Sequence, residues 1–461
     1  MLATEKECRE IADRALALTR ADDAAVSMSF GRSSNTRFAN NEPTTSGASE
    51  SVNVVVSVTK EGRTGRVSLN ETSDAALEKA MRRAEDLAAL LPPDPEYAGP
   101  LPPQKYLPIP AEDPATITFG AAERVPGVRA VVEPAAKENM NTSGFFTNGG
   151  GVQCIANKAG NFGYHRSSNA SFSATARTAD GTGSGWAEDA SFRVADIDAP
   201  KLAATALRKA RESAGPKRLD PDDYTVIFEP AAVADLIGFN FGAALSARAA
   251  EEGRSYFSKK GGGTMLGEKV FHESVTMRSD PLDKRRPGSP WGFGGGGGGG
   301  GGGFGFGGGG DAGLASAPVT WVEKGVLKNL VYDRYWAKKN GREPTPGAGN
   351  FVLEGGTETL ESLIASTVRG LLVTHFWYIR FVNQQTLQHT GLTRDGLFLI
   401  ENGKVTAPVM NFRFLESPVR LLKNTLRLGQ AVRVRGLEGG MMIAPALVAT
   451  DFPLPSISDA I

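Results

Sequence analysis

Near the N-terminus apolar residues recur every three to four positions. Cys8, Ile11, Ala12, Ala15 and Leu18 fall on one side of a helix, and Thr4 with Glu7 supplies the reciprocal cap that starts it. The period then changes to two. Val26, Met28 and Phe30 mark one strand, and Val52, Val54, Val56 and Val58 mark the clearest strand in the chain, Ser51 to Thr59. Glu61-Gly62 offers a tight turn into Thr64 to Leu69, completing a hairpin. Ser73 can cap a second helix that buries Leu77, Ala80, Met81, Ala84, Leu87 and Leu91.

Proline crowds residues 92–115, which predicts an extended, semi-rigid linker. Short strands separated by Gly, Asn and Ser turns return from Gly144 to Thr178, and a helix is expected from about Pro200 to Ser213. The stretch Gly-Pro-Lys-Arg-Leu-Asp-Pro-Asp-Asp marks the main boundary. Beyond it come the strand Tyr224 to Glu229, a helix after Pro230, a hairpin around Glu323-Lys324-Gly325, and a second at Asn402-Gly403. Leu371 to Phe381 is apolar and aromatic, and short helices are expected at Thr357 to Ser366 and Ser417 to Leu428. Sheet and helix mix without βαβ alternation, so the fold class is α+β. The organisation reads as an N-terminal subdomain with antiparallel sheet and flanking helices (1–91), the linker (92–115), a central α+β subdomain (116–218) and a β-rich domain (219–461). Residues 292–310 are almost pure glycine, which predicts a disordered surface loop.

Composition adds exclusions. Lys plus Arg and Asp plus Glu both total 51, so zero net charge gives no electrostatic reason to expect nucleic acid or an anionic membrane. The two cysteines, Cys8 and Cys154, form no CxxC pair, and each reads as a small core residue in a reducing, cytoplasmic setting. The charged N-terminal stretch lacks the apolar region of a secretory signal, and no run reaches the roughly 18 apolar residues of a membrane span.

Candidate chemistry is sparse. A zinc peptidase helix needs two His on one face and a Glu beside the first. None of the four histidines, His165, His272, His375 and His389, has a partner at that spacing, and His272-Glu273 reads as a surface strand. There is no nucleophile elbow. Two segments stand out. In His375 to Phe381 the ring and cation set (His375, Tyr378, Arg380) lines a peptide groove or simply packs a sheet. Thr393, Arg394 and Asp395 hold a peptide backbone or terminal carboxylate, or form a turn ion pair.

Long stretches carry a resemblance. Residues 36–80, beginning Thr-Arg-Phe-Ala-Asn-Asn-Glu-Pro, are similar to the N-terminal domain of the TldD/PmbA family. Val326 to Gly347, Arg369 to Val405 and Asn411 to Leu422 are similar to its C-terminal domain. The resemblance covers nearly the whole chain apart from the glycine run. It implies an α+β N-terminal region and a β-rich, barrel-like C-terminal domain. It also implies two kinds of chain: TldD-type subunits with a zinc-binding H-E-x-x-x-H helix and a C-terminal Cys, and PmbA-type (TldE) subunits without them. Pairs of the two trim unfolded peptides. Ungapped matching of the strand and helix after Tyr224 puts Gly238, Phe239 and Ala243 at the first His, the Glu and the second His, and the C-terminal Cys is missing. None of the three side chains can ligate zinc. The expectation is a PmbA-type chain that holds no metal itself, partnered by a zinc-bearing subunit as a heterodimer or by a second copy as a homodimer. Whether it is an enzyme alone stays open. The alternatives are a self-standing hydrolase using Asp395 or Glu401, and a non-enzymatic modulator of DNA gyrase.

Overall fold

The structure, a computed structural model, describes residues 2–292 and 311–459, so the glycine run lies outside the described residues save for Gly292. Helix α1 (Glu5–Ala17) starts as its sequence dictates: Thr4 Oγ1 accepts from Glu7 N at 3.3 Å and Glu7 Oε2 accepts from Thr4 N at 2.7 Å. Strands β1 (Asp23–Ala39), β2 (Glu42–Lys60) and β3 (Arg63–Leu69) follow. The β2–β3 turn places Glu61 and Gly62 at φ +52° and +74°, the left-handed pair that suits a tight hairpin. Helix α2 (Asp74–Leu90) buries Leu77, Met81 and Ala84, while Leu91, past its end, is exposed.

The proline-rich segment is laid over the C-terminal domain. Arg334 donates to the carbonyls of Ala98, Gly99 and Pro100, and Arg248 pairs with Glu96 at 2.6 Å. Short helix α3 (Pro114–Thr118) leads into α4 (Ala121–Lys137), which periodicity did not pick out. It contains Pro126 and Pro134, each forfeiting a backbone bond. Burial of Val128, Val131 and Ala135 offsets that loss.

The chain then runs β4 (Met140–Asn157), β5 (Phe162–Thr178), β6 (Ser184–Ser191) and α5 (Ala199–Glu212). One antiparallel sheet, ordered β3-β2-β1-β4-β5-β6, unites these strands with the first three. Its first half packs under α1 and α2 around Val26, Val56, Met81 and Cys154; its second packs under α4 and α5 around Phe38, Phe146 and Phe172. The expected short strands between Gly144 and Thr178 are thus two long ones. Gly149 and Gly150 are not turn residues: a Cβ there would meet Arg32 O at 2.3 Å and Ile117 Cγ1 at 2.6 Å.

Fourteen strands lie among the described residues of the C-terminal domain: β7 (Asp222–Phe228), β8 (Met277–Ser279), β9 (Val319–Glu323), β10 (Val326–Leu327), β11 (Phe351–Leu353), β12 (Arg369–Asn383), β13 (Gln388–Glu401), β14 (Lys404–Pro408), β15 (Phe412–Glu416), β16 (Thr425–Leu428), β17 (Val432–Gly436), β18 (Gly440–Ala444), β19 (Leu447–Leu454) and β20 (Ser456–Ile457). They form a six-stranded sheet, β10-β9-β8-β11-β18-β17, and an eight-stranded one, β16-β19-β7-β12-β13-β15-β20 with β14 on β13. The domain is β-rich as expected, but neither sheet closes into a barrel. Both enclose α6 (Pro230–Gly238), whose residues from Ala232 onward are all buried, in one core with Phe228, Trp321, Phe376 and Met442. Short helices α7 (Phe241–Ala244), α8 (Ala247–Glu251), α9 (Arg334–Lys339), α10 (Leu360–Ala365) and α11 (Pro418–Lys423) fill the connections. The helix expected to reach Leu428 stops at Lys423 because Thr425–Leu428 pairs with β19 instead. His272 sits in a turn before β8, bonded to Ser274, and not in a strand.

Candidate functional site

Strands β12 and β13 slip register between Val373 and His375 and again between Trp377 and Arg380. Such bulges re-aim side chains. Opposite the first slip, Asp395 and Gly396 adopt φ +53° and +122°, and Thr374 Oγ1 donates to the Gly396 carbonyl at 3.0 Å. His375 thereby meets β6, the edge strand of the six-stranded antiparallel sheet. Its Nε2 lies 2.8 Å from Asp395 Oδ2, and its ring stacks on Trp186 of β6 at 4.4 Å. Ser184 Oγ donates to the other Asp395 oxygen. From α6, Asp235 accepts the backbone N–H groups of Phe376 (3.0 Å), Glu438 (2.8 Å) and Gly439 (3.3 Å), and stands 4.0 Å from His375 Nδ1. Two arginines of β17 extend the tie to β6: Arg435 reaches Glu188 at 3.0 Å and Arg433 reaches Asp189 at 2.6 Å.

Burial sets the electrostatics of this clasp. It pushes Asp235 up to about 6, against the opposing His375 charge and backbone donors. It pushes Glu188 up to about 7, with Arg435 opposing. For Asp395 burial acts in the same direction, but the His375 and Ser184 hydrogen bonds and the His375 and Arg394 charges outweigh it and hold the carboxyl below its ordinary value. His375 is 1% exposed and Asp395 4%. Ser184 bonds to the carboxylate and not to the imidazole, so this is no serine–histidine relay. Its chemistry is that of an interdomain tie.

The remaining predicted residues divide between inside and outside. Thr393 is fully buried; its hydroxyl donates to Asn411 Oδ1 at 2.9 Å and accepts from Phe412 N at 3.0 Å, a strut between strands. Tyr378, at φ +57° in the second slip, donates its N–H to Glu438 Oε1 at 2.8 Å. Its ring and that of Trp377 face outward, 48% and 36% exposed. Arg380 lies 3.9 Å over Tyr378, and Arg394 lies 4.1 Å over Trp377. The surface thus joins Trp377, Tyr378, Arg380 and Arg394, while His375, Thr393 and Asp395 lie beneath. Sequence reading missed Asp235, Ser184, Trp186 and Glu188. Only Asp235 left a signal, as the sole acid in an otherwise apolar helix.

Gly238, Phe239 and Ala243 do not share a helix face. Helix α6 ends at Gly238, the backbone breaks at Asn240 (φ −164°, ψ 16°), and Ala243 belongs to α7. The Phe239 ring packs on Phe381 at 5.4 Å and on His389 at 5.3 Å. Of these three rings, His389 alone carries nitrogen donors. No group of three or more His, Cys, Asp or Glu among the described residues is arranged to hold a metal. These positions do not fit a zinc ion.

One six-stranded antiparallel sheet flanked by helices, and two open C-terminal sheets around a buried helix, make a mixed α+β fold. Family profiles for PmbA/TldA metallopeptidase match three regions: domain 1 over residues 24–88, the central domain over 122–214 and the C-terminal domain over 221–454. The chain belongs to the PmbA/TldD family. An uncharacterised protein of Methanocaldococcus jannaschii is 24% identical over 261 residues, and the matched part spans 55% of each chain. TldE of Thermococcus kodakarensis superposes with TM-score 0.82 at 18% identity, covering 96% of this chain and 99% of that one. A candidate modulator of a DNA gyrase from Thermotoga maritima gives TM-score 0.81 at 20% identity over 96% and 99%. At these identities the structural likeness speaks for the fold. No helix among the described residues is long and apolar enough to cross a membrane.

Proposed function

We propose that this chain is the metal-free, peptide-binding subunit of a two-chain zinc metallopeptidase that trims unfolded peptides in the cytoplasm. The observation that carries the reading is family membership combined with donor-less residues at 238, 239 and 243. In this reading a zinc-bearing relative supplies the metal and the general base. The present chain supplies the outer face of β12 and β13. Aromatic shelves at Trp377 and Tyr378 suit an extended main chain, while Arg380 and Arg394, already 3.6 Å from Glu438 and 3.8 Å from Asp395, would share their guanidiniums with a bound carboxylate. Cys8 and Cys154 are buried free thiols that hydrogen-bond to each other, an arrangement that a reducing compartment suits.

The test is reconstitution with a relative that carries H-E-x-x-x-H. Peptidase activity should appear only in the mixture and vanish with a chelator. Trp377→Ala combined with Arg394→Gln should weaken peptide binding at least about tenfold. Turnover by the isolated chain that survives chelation would sink the reading. A second reading, an interaction partner of DNA gyrase, draws support from the names of two structural neighbours. Unaltered supercoiling by gyrase in the presence of the chain would remove it.

A further inference from the structure

The chain has two cysteines, 146 positions apart in sequence, and the fold brings them together. Cys8 lies on the inner face of α1 and Cys154 on β4, in the core cluster with Val26, Val56 and Met81. Both are fully buried free thiols, and their side chains hydrogen-bond to each other. Burial as a small apolar residue accounts for either cysteine alone. Their contact adds a chemistry that the same packing with Ala or Val would lack.

The contact makes the two thiols unequal. The hydrogen bond from Cys154 holds the Cys8 thiol below its ordinary value, against burial and the charges of Glu7 and Glu5. The same contact, together with burial, pushes Cys154 up. Cys8 is therefore the thiol that attacks and Cys154 the one that resolves. Access comes through α1. Its buried residues are only Cys8, Ile11, Ala12 and Ala15, three of them small, so the helix can lift from the sheet at less cost than unfolding the domain.

We propose that Cys8 and Cys154 form a redox-modification site that glutathione disulfide converts to an intramolecular disulfide, stapling α1 to β4. When α1 lifts, the Cys8 thiolate attacks one sulfur of glutathione disulfide; that S–S bond breaks and one glutathione leaves. The Cys154 thiolate then attacks Cys8 Sγ in the mixed disulfide and releases the second glutathione. The protein gives up two electrons and two protons, and the oxidant takes both as two glutathione thiols. The new bond spans a long loop, which restricts the unfolded chain, and α1 can no longer lift. A reducing thiol pool reopens it.

The test is incubation of the full folded chain with glutathione disulfide, read by intact mass and peptide mapping. The parent should lose about 2 Da, join the peptides that hold Cys8 and Cys154, and regain both hydrogens with dithiothreitol. Amide exchange in Glu5–Ala17 should slow at least about tenfold in the bridged form. Cys154→Ser should keep glutathione on Cys8 as the trapped intermediate, and Cys8→Ser should take up at least about tenfold less on Cys154. Circular dichroism matching the parent separates this chemistry from misfolding, and the mass of the parent decides alone if a variant fails to fold. A parent that keeps glutathione without closing the bridge, that links two chains through their cysteines, or that reacts only in urea overturns the proposal. So does a bridge that leaves exchange in α1 unchanged.

Discussion

His389 is fully buried between the rings of Phe381 (4.8 Å) and Phe239 (5.3 Å), and neither of its ring nitrogens has a hydrogen-bond partner. An imidazole there resists protonation. Burial lowers its pKa from 6.5 to about 4. The unfolded chain therefore takes up this proton first as pH falls. The stability associated with neutral His389 is complete above 6.5 and is lost progressively as pH falls from there through about 4. A gap of about 2.5 pH units, at about 1.4 kcal/mol each, caps the loss at about 3.5 kcal/mol. Its cross-strand neighbour Glu416 works the other way. Burial pushes that carboxyl up to about 7, so acid stabilises the fold there. The His389→Phe variant isolates the histidine, because Glu416 is common to both proteins. Urea midpoints followed by circular dichroism should show variant and parent diverging below about pH 6.5, the variant holding firmer, by up to about 3 kcal/mol near pH 4. A difference that stays constant from pH 7 to pH 4 would refute the claim that the caged imidazole is neutral and unsupported.

Two further outcomes follow from the site. Asp395→Ala removes the carboxylate that holds His375 and Ser184, and losing one partner of a buried pair costs about 3–5 kcal/mol; amide exchange should accelerate in Ser184–Ser191, and unchanged exchange there would show that the tie carries no strain between domains. The triple change Gly238→His, Phe239→Glu and Ala243→His restores donor types but not a continuous helix, so metal analysis after dialysis should find no stoichiometric zinc; one zinc per chain would disprove the argument from the break at Asn240.

Local chemistry was legible wherever a few neighbouring residues decide the outcome. The Thr4–Glu7 cap and the turns at Glu61-Gly62 and Asn402-Gly403 stand where their residue types place them, with both positions of each turn at positive φ. What escaped was decided by distant contacts. Gly149 and Gly150 look like a turn from their own sequence, yet it is the carbonyl of Arg32 and the side chain of Ile117 that forbid a Cβ. Pro126 and Pro134 argue against a helix locally, and only the apolar face they carry overrides them. At the site, the sequence leaves His375 open between groove lining and sheet packing, and Asp395 between peptide binding and a turn ion pair, because nothing near them announces Ser184, Trp186 or Asp235.

Asp235 links the clasp to the missing metal site. It lies on the helix that follows β7, where metal-binding relatives are expected to present ligands, and three backbone N–H groups already occupy its carboxylate. Those groups belong to β12 and to the turn between β17 and β18, so the carboxylate cannot turn toward a metal without leaving buried donors unsatisfied. Beyond it the helix stops and Phe239 fills the space against Phe381. The same helix thus serves as a strut, and the strut fixes Phe376, one residue from His375 and Trp377. Whatever the outer face of β12 and β13 binds, its geometry is held from below by a buried acid–imidazole cluster. Loosening that cluster should blur the surface before it unfolds the domain.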